Sequence, residues 1–223
     1  DPMTGVLSGF TTNATSFTTG RAWFGAAALN GFMYIIGGEV NTDPDLVADA
    51  QMARINSDGS LGAWSATTSL PSKRSRFATA YTNNVIYVIA GLDGGAFTSE
   101  VLAIGTRPSG VLGPAWSTTS PASFTKDARA LAHNGYVYLA GGVGTGGFAQ
   151  NSVGYSRINA DGTLAGWNFT SSMTVARSGF ALGVCNGYLV AASGPYANTE
   201  MAPIGSSGEL GPWRTDQLSE PEG

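Results

Sequence analysis

Four stretches of this chain superimpose almost letter for letter, and that internal repetition narrows the fold more than any other feature. They read RAWFGAAALNGFMYIIGG from Arg21, RSRFATAYTNNVIYVIAG from Arg74, TKDARALAHNGYVYLAGG from Thr125 and RSGFALGVCNGYLVAASG from Arg177. The asparagines Asn30, Asn83, Asn134 and Asn186 lie 53, 51 and 52 residues apart. A period of that length marks an array of like units, each burying its apolar surface against the next.

Within each unit two apolar runs meet across a two-residue break: Asn30-Gly31, Asn83-Asn84, Asn134-Gly135 or Asn186-Gly187. Asn-Gly tolerates the positive φ of a type I′ turn, so each window is predicted to be a tight antiparallel hairpin. The second run (FMYIIGG, VIYVIAG, YVYLAGG, YLVAASG) is nearly all aromatic, aliphatic or small, as expected of a strand covered on both faces. A third strand is expected to end in a shared isoleucine, at Ile55, Ile104, Ile158 and Ile204. A turn and a tryptophan follow, at Trp64, Trp116, Trp167 and Trp213, where the fourth strand begins. The tryptophans read as packing between units rather than as platforms for a ligand.

Four antiparallel strands per unit of about 52 residues is the pattern of a β-propeller blade. In detail the chain resembles the Kelch-type propeller family. The carriers are the opening Arg, the Asn-Gly hairpin, the double glycine (Gly37-Gly38, Gly141-Gly142) and the Trp about 25 residues later. The linkers from Ile55 to Trp64 and from Ile158 to Trp167 are similar to the bacterial I-N-x-D-G-x-L-x-x-W variant. Two departures stand out: the usual third-strand tyrosine survives only as Tyr155, and Thr125-Lys126 stand where the third unit should open on Arg. The expected fold is therefore all-β, one propeller domain or propeller segment over 1–223. Its four Kelch-like blades are expected at about 20–70, 71–123, 124–174 and 175–220. Residues 5–19 supply an extra N-terminal outer strand, because Gly5 to Phe10 repeat the linker with Phe10 in place of Trp.

Antiparallel order places the second-to-third and fourth-to-first connections on one end of the blades, and variable loops on a rigid scaffold are where binding residues gather. That end collects most of the scarce charge. The candidate ligand-binding residues are Arg21, Arg74, Arg76, Lys126, Arg129, Arg177, Glu39, Asp93, Phe97 and Tyr196. Arg21, Arg74 and Arg177 occupy equivalent positions where guanidinium groups could hold a carboxylate or sulfate through paired hydrogen bonds. Because this Arg belongs to the repeat itself, locking of neighbouring loops is the favoured role for it.

Composition excludes several activities. The 223 residues carry 11 basic and 15 acidic side chains, a net charge of −4, with 12% charged residues and 32 glycines. Such a balance offers no counterion-release footprint for nucleic acid, no basic patch for anionic lipid and no apolar run long enough for membrane insertion. The N-terminus lacks a signal pattern, so a mature soluble segment is expected. One histidine, His133, and one cysteine, Cys185, cannot build copper-radical, zinc or Cys-His chemistry. Ser57 to Trp64 nearly match a sialidase Asp-box, but a contiguous Asp-Gly turn explains the match. Asn41, Asp43 and Asp45 form a weak calcium candidate without the Gly and Glu of an EF-hand loop. No cofactor is expected.

The function expected is a non-catalytic binding or adhesion module, offering the loops of one face to a protein or carbohydrate ligand within a larger surface or secreted protein. The alternative is a sugar-acid-active enzyme like the Kelch-type mutarotases or sialidases, with Glu39, Asp93 and Asp127 as its carboxylates. A purely structural spacer is the third class. Low Lys and high Ser and Thr favour an extracellular or cell-surface setting. Four blades are fewer than the six or seven usual in the family. Self-association or completion of the ring by further blades is therefore expected, with a closed four-blade ring as the alternative.

Overall fold

The computed structural model describes residues 12–13, 15–40, 45–82, 84–122, 125–194 and 198–216. No helix occurs among them. Each repeat folds into its own four-stranded antiparallel sheet with the strands in chain order. The first sheet holds β1 (Gly25–Leu29), β2 (Phe32–Ile36), β3 (Ala50–Arg54) and β4 (Ser65–Thr67). The second holds β5 (Ala78–Thr82), β6 (Val85–Ile89), β7 (Val101–Gly105) and β8 (Ser117–Thr119). The third holds β9 (Arg129–His133), β10 (Tyr136–Ala140), β11 (Val153–Ile158) and β12 (Leu164–Phe169). The fourth holds β13 (Ala181–Cys185), β14 (Tyr188–Ala192), β15 (Thr199–Pro203) and β16 (Arg214–Asp216).

The hairpin turns form as their residues require. Asn30, Asn134 and Asn186 and the glycines after them all take positive φ, which closes β1–β2, β9–β10 and β13–β14 in tight register. Asn83 lies outside the described residues. One expected position moves. Ile55, Ile158 and Ile204 pair with Leu61, Leu164 and Leu210, but in the second repeat Thr106 pairs with Leu112 while Ile104 sits two residues earlier, opposite Ile86. A shift of two keeps Ile104 on the buried face.

The second strands are covered on both sides, and β6 shows how. Ile86 and Val88 enter a core shared with Tyr34, Ile36 and Ala50 of the first sheet, while Tyr87 and Ile89 enter a core shared with Val137 and Leu139 of the third. A third core joins Tyr138 and Ala140 to Leu189, Ala191 and Ala202. Among the described residues, three buried clusters serve four sheets, so the first and fourth sheets each keep one face outside any cluster.

The repeats are joined by a recurring set of hydrogen bonds. Second-strand hydroxyls donate one repeat onward to a linker glycine carbonyl: Tyr34 to Gly110 (2.6 Å), Tyr87 to Gly162 (2.7 Å) and Tyr138 to Gly208 (2.9 Å). Burial pushes the Tyr87 and Tyr138 hydroxyls up to about 12. Val190 takes this position in the fourth repeat. The linker tryptophans point the other way, donating Nε1 to the preceding repeat: Trp116 to Thr68 O, Trp167 to Ser120 O and Trp213 to Ser171 O. That is the inter-unit packing role expected of them. A backbone series runs along the same seams, from Arg76 N to Trp23 O, Asp127 N to Arg76 O and Gly179 N to Asp127 O.

Of the extra strand expected at 5–19, residues 5–11 and 14 lie outside the described residues. The remainder is not strand, but it makes contacts typical of a fourth strand's end. Leu112 N and Leu164 N donate to Thr67 Oγ1 and Thr119 Oγ1 of the preceding repeat, and Leu61 N donates in the same manner to Asn13 Oδ1. Counting from Phe10 as the linker aromatic, Asn13 occupies the position of those threonines.

Candidate functional site

The three repeat arginines are enclosed by their own repeats. Arg21 donates in bidentate fashion to Asp49 (2.9 Å to each oxygen) and to Gly37 O. The Arg21 hydrogen bonds hold Asp49 below the usual carboxylate range. Arg74 is buried against Glu100 and Asp93. Arg177 reaches Glu200, Asn198 and Ser193 O, with both charged side chains fully buried. Burial alone would push the Glu200 carboxyl up, but hydrogen bonds from Thr174 and Arg177 outweigh it and hold the carboxyl low. The expectation that these arginines offer their guanidinium groups to a ligand is corrected here. Their guanidinium groups are enclosed by the fold; Arg74 reaches Glu100 and the partly exposed Asp93 while its Nε keeps no partner.

The accessible cluster forms two positions further along the windows. Trp23, Arg76, Asp127 and Gly179 are equivalent, and all four take left-handed backbone, with φ of 51°, 54°, 56° and 62°. Glycine suits such a position; three larger side chains there hold strain on the order of 1–3 kcal/mol each, and strain of this kind gathers at functional sites. The Arg76 guanidinium lies 3.7 Å from the Trp23 ring centre, and Trp23 remains half exposed. Arg76 also donates to Glu39 Oε1 (3.2 Å) and Asp127 Oδ2 (3.4 Å), and Ser75 Oγ donates to the same Glu39 oxygen (2.7 Å). Paired backbone bonds between Ala22 and Glu39 fix that carboxylate beside Trp23. On the adjoining loop the Lys126 ammonium lies 5.5 Å from the Phe97 ring centre.

The structure thus brings Glu39, Arg76 and Asp127 together, sets Lys126 on Phe97, and adds one residue that sequence reasoning did not select, Trp23. The alignment column Trp-Arg-Asp-Gly held the signal, since Asp and Gly in one column mark a left-handed position. Arg129 stands apart, donating Nε to Phe180 O (2.6 Å) and lining a narrow cavity of about 180 Å³ where the first strands converge. Tyr196, Asn41 and Asp43 lie outside the described residues, and Asp45 is exposed and pairs with Lys73 at 3.3 Å. Among the described residues no group of three or more His, Cys, Asp or Glu could hold a metal ion. The Asp58 and Asp161 carboxylates accept from Ser60 and Thr163, and those hydrogen bonds lower both. The Asp-box likeness is therefore turn chemistry.

Chemically, this end of the molecule offers an aromatic surface, a partly exposed cation and the Asp127 carboxylate paired with it, above the buried Glu39. It can stack on and hydrogen-bond a ligand.

No family model and no curated protein matches the chain. Among solved structures, that of YjhT superposes with a TM-score of 0.70 at 14% identity, over 92% of this chain and 71% of that one. The likeness shows the fold, an all-β arrangement of propeller type.

Proposed function

We propose that the chain is a non-catalytic binding module whose four sheets are Kelch-type propeller blades, displaying the Trp23–Arg76 cluster to a protein or carbohydrate ligand at a cell surface or outside the cell. The observation that carries this reading is the exposed Trp23 ring stacked on Arg76, both on left-handed backbone that glycine would occupy at lower cost. A scaffold has no need for tryptophan there. The adhesion setting rests on composition and on the resemblance to bacterial Kelch-type repeats. Asn13 supports the reading of the N-terminal segment as a fourth strand out of sequence. The face of the fourth sheet that lies outside any buried cluster, with Val190 and Met201 only half-buried, supports an arc completed by further blades or by a second copy, whereas the corresponding face of the first sheet holds buried Ile35, Gln51 and Ala53 beside N-terminal Thr18. Solution mass combined with small-angle scattering distinguishes a closed four-blade ring from such an arc.

Trp23→Gly tests the site. It relieves strain on the order of 1 kcal/mol while removing a cation–π contact of about 0.5–1 kcal/mol, so thermal stability should hold or rise slightly. Screened against immobilised glycans and peptides, the wild-type chain is expected to give a signal that the variant loses. Equal signals from the two proteins would sink the proposal, as would the absence of any ligand from both screens.

A further inference from the structure

The third repeat departs from the others at three positions together, and the departure opens a cavity. Strand register aligns Thr125 with Arg21, Arg74 and Arg177. It aligns Ser152 with Asp49, Glu100 and Asn198, and Gly154 with Gln51, Leu102 and Glu200. In the other repeats these positions hold a buried arginine, its partner and a large buried side chain. In the third all three are cut back, leaving a cavity of about 370 Å³, within the ~300–1,000 Å³ range of small-ligand sites. Backbone geometry does not demand the smallest of them. Gly154 has ordinary strand φ, and a Cβ there would meet Trp167 Cε3 at 3.4 Å, a normal contact. Glycine in a strand interior weakens the strand and often marks close approach by a ligand.

We infer that this cavity binds a neutral, hydroxyl-rich ligand of the class of an uncharged sugar ring. No charged side chain lines it, so either ionic class of ligand would be desolvated without a partner. Its acceptors are short of donors. Arg21 and Arg177 donate to Gly37 O at 3.0 Å and to Ser193 O at 2.6 Å, but the equivalent Gly141 O has only Thr125 Oγ1 at 3.4 Å. The same hydroxyl also lies 3.4 Å from Lys126 O and from Val143 O, which face each other in a strand pair, so its one proton is only partly available to Gly141 O. Ligand hydroxyls would supply the donors that a guanidinium supplies elsewhere. Trp167 and Phe169 line the cavity and Phe169 is 72% exposed, so apolar ring surface is available to the C–H face of a sugar. The Ser152 hydroxyl and Gln150 amide complete a lining of neutral donors and acceptors.

The test transplants the first repeat's residues into the third, as Thr125→Arg, Ser152→Asp and Gly154→Gln in one protein. Neutral monosaccharides and disaccharides at millimolar concentration, with uronic acids and amino sugars as charged controls, are titrated against tryptophan fluorescence and amide NMR shifts. The wild-type chain should respond to neutral sugars. The filled variant should bind at least about tenfold more weakly, equivalent to ~1.4 kcal/mol, with its melting temperature maintained. Phe169→Ala, on an exposed side chain, provides a second reading should the triple variant misfold, and it too should weaken binding. A wild-type chain silent to every neutral sugar, preference for a charged control, or undiminished binding by a folded variant would each overturn the inference. Trp23→Gly should leave this binding unchanged, which keeps the two sites distinguishable.

Discussion

The third and fourth repeats share a backbone plan and differ in what stands beneath the loop after the second strand. In the fourth, Arg177 and Glu200 meet with no solvent access, and Thr174 and Val175 donate backbone N–H groups to the same carboxylate. In the third, Thr125 and Gly154 leave that volume open. A buried ion pair therefore fits this architecture without being required by it. What recurs in every repeat is the framework of turns, tyrosine or tryptophan bonds and shared cores, while the arginine position is free to be specialised.

The largest expected effect comes from breaking the fourth repeat's pair. Glu200→Ala leaves Arg177 charged, buried and unpaired, and should cost on the order of 3–5 kcal/mol in urea unfolding. Thr125→Ala, at the third repeat's counterpart of Arg177, should cost less than about 1 kcal/mol because its hydroxyl makes only long contacts. Equal losses would show that the two repeats are not specialised differently. Acid should narrow the contrast. The folded Glu200 carboxyl titrates below its ordinary value of 4.5, so its stabilisation is present above that pH and falls away as pH drops through the folded value. Glu200→Gln should flatten that part of the curve.

A smaller effect is expected at the seam between these repeats. Tyr138→Phe removes the bond to Gly208 O and should cost about 1 kcal/mol. At high pH the sign turns. The folded hydroxyl is raised from 10.0 to about 12, so the wild type loses stability as pH climbs through that window and the phenylalanine variant should lose less. The smallest effect belongs to the exposed Lys73–Asp45 pair, where Lys73→Ala should fall within about 0.5 kcal/mol. A larger loss there would mean that surface charge contributes to the fold as well as the buried pairs.

Much of the framework was legible because each of its signals has one physical solution. Asn-Gly between apolar runs allows a type I′ turn, and a tryptophan recurring after each linker needs a neighbour to cover it. The shift at Ile104 was not legible, since a displacement of two residues keeps the side chain on the same face and leaves the apolar alternation unchanged. Burial of the arginines was underestimated because their acidic partners sit at different sequence offsets, Asp49 for one and Glu200 for another. The opening at Thr125 was visible as a departure from the repeat. Its meaning needed the register that aligns Ser152 and Gly154 with it. Trp23 escaped notice because backbone conformation, rather than residue type, makes it unusual.

The backbone series from Trp23 through Arg76 and Asp127 to Gly179 has a direction: every donor belongs to the later repeat and every acceptor to the earlier one. Its terminal groups are therefore of opposite kind, a carbonyl on the last repeat and an amide on the first. Two copies related by a twofold axis would set like groups against like across these ends. Copies added in a single sense would extend the series, so assembly through these ends would be cyclic or filamentous and would lengthen with concentration unless the curvature brought it back on itself.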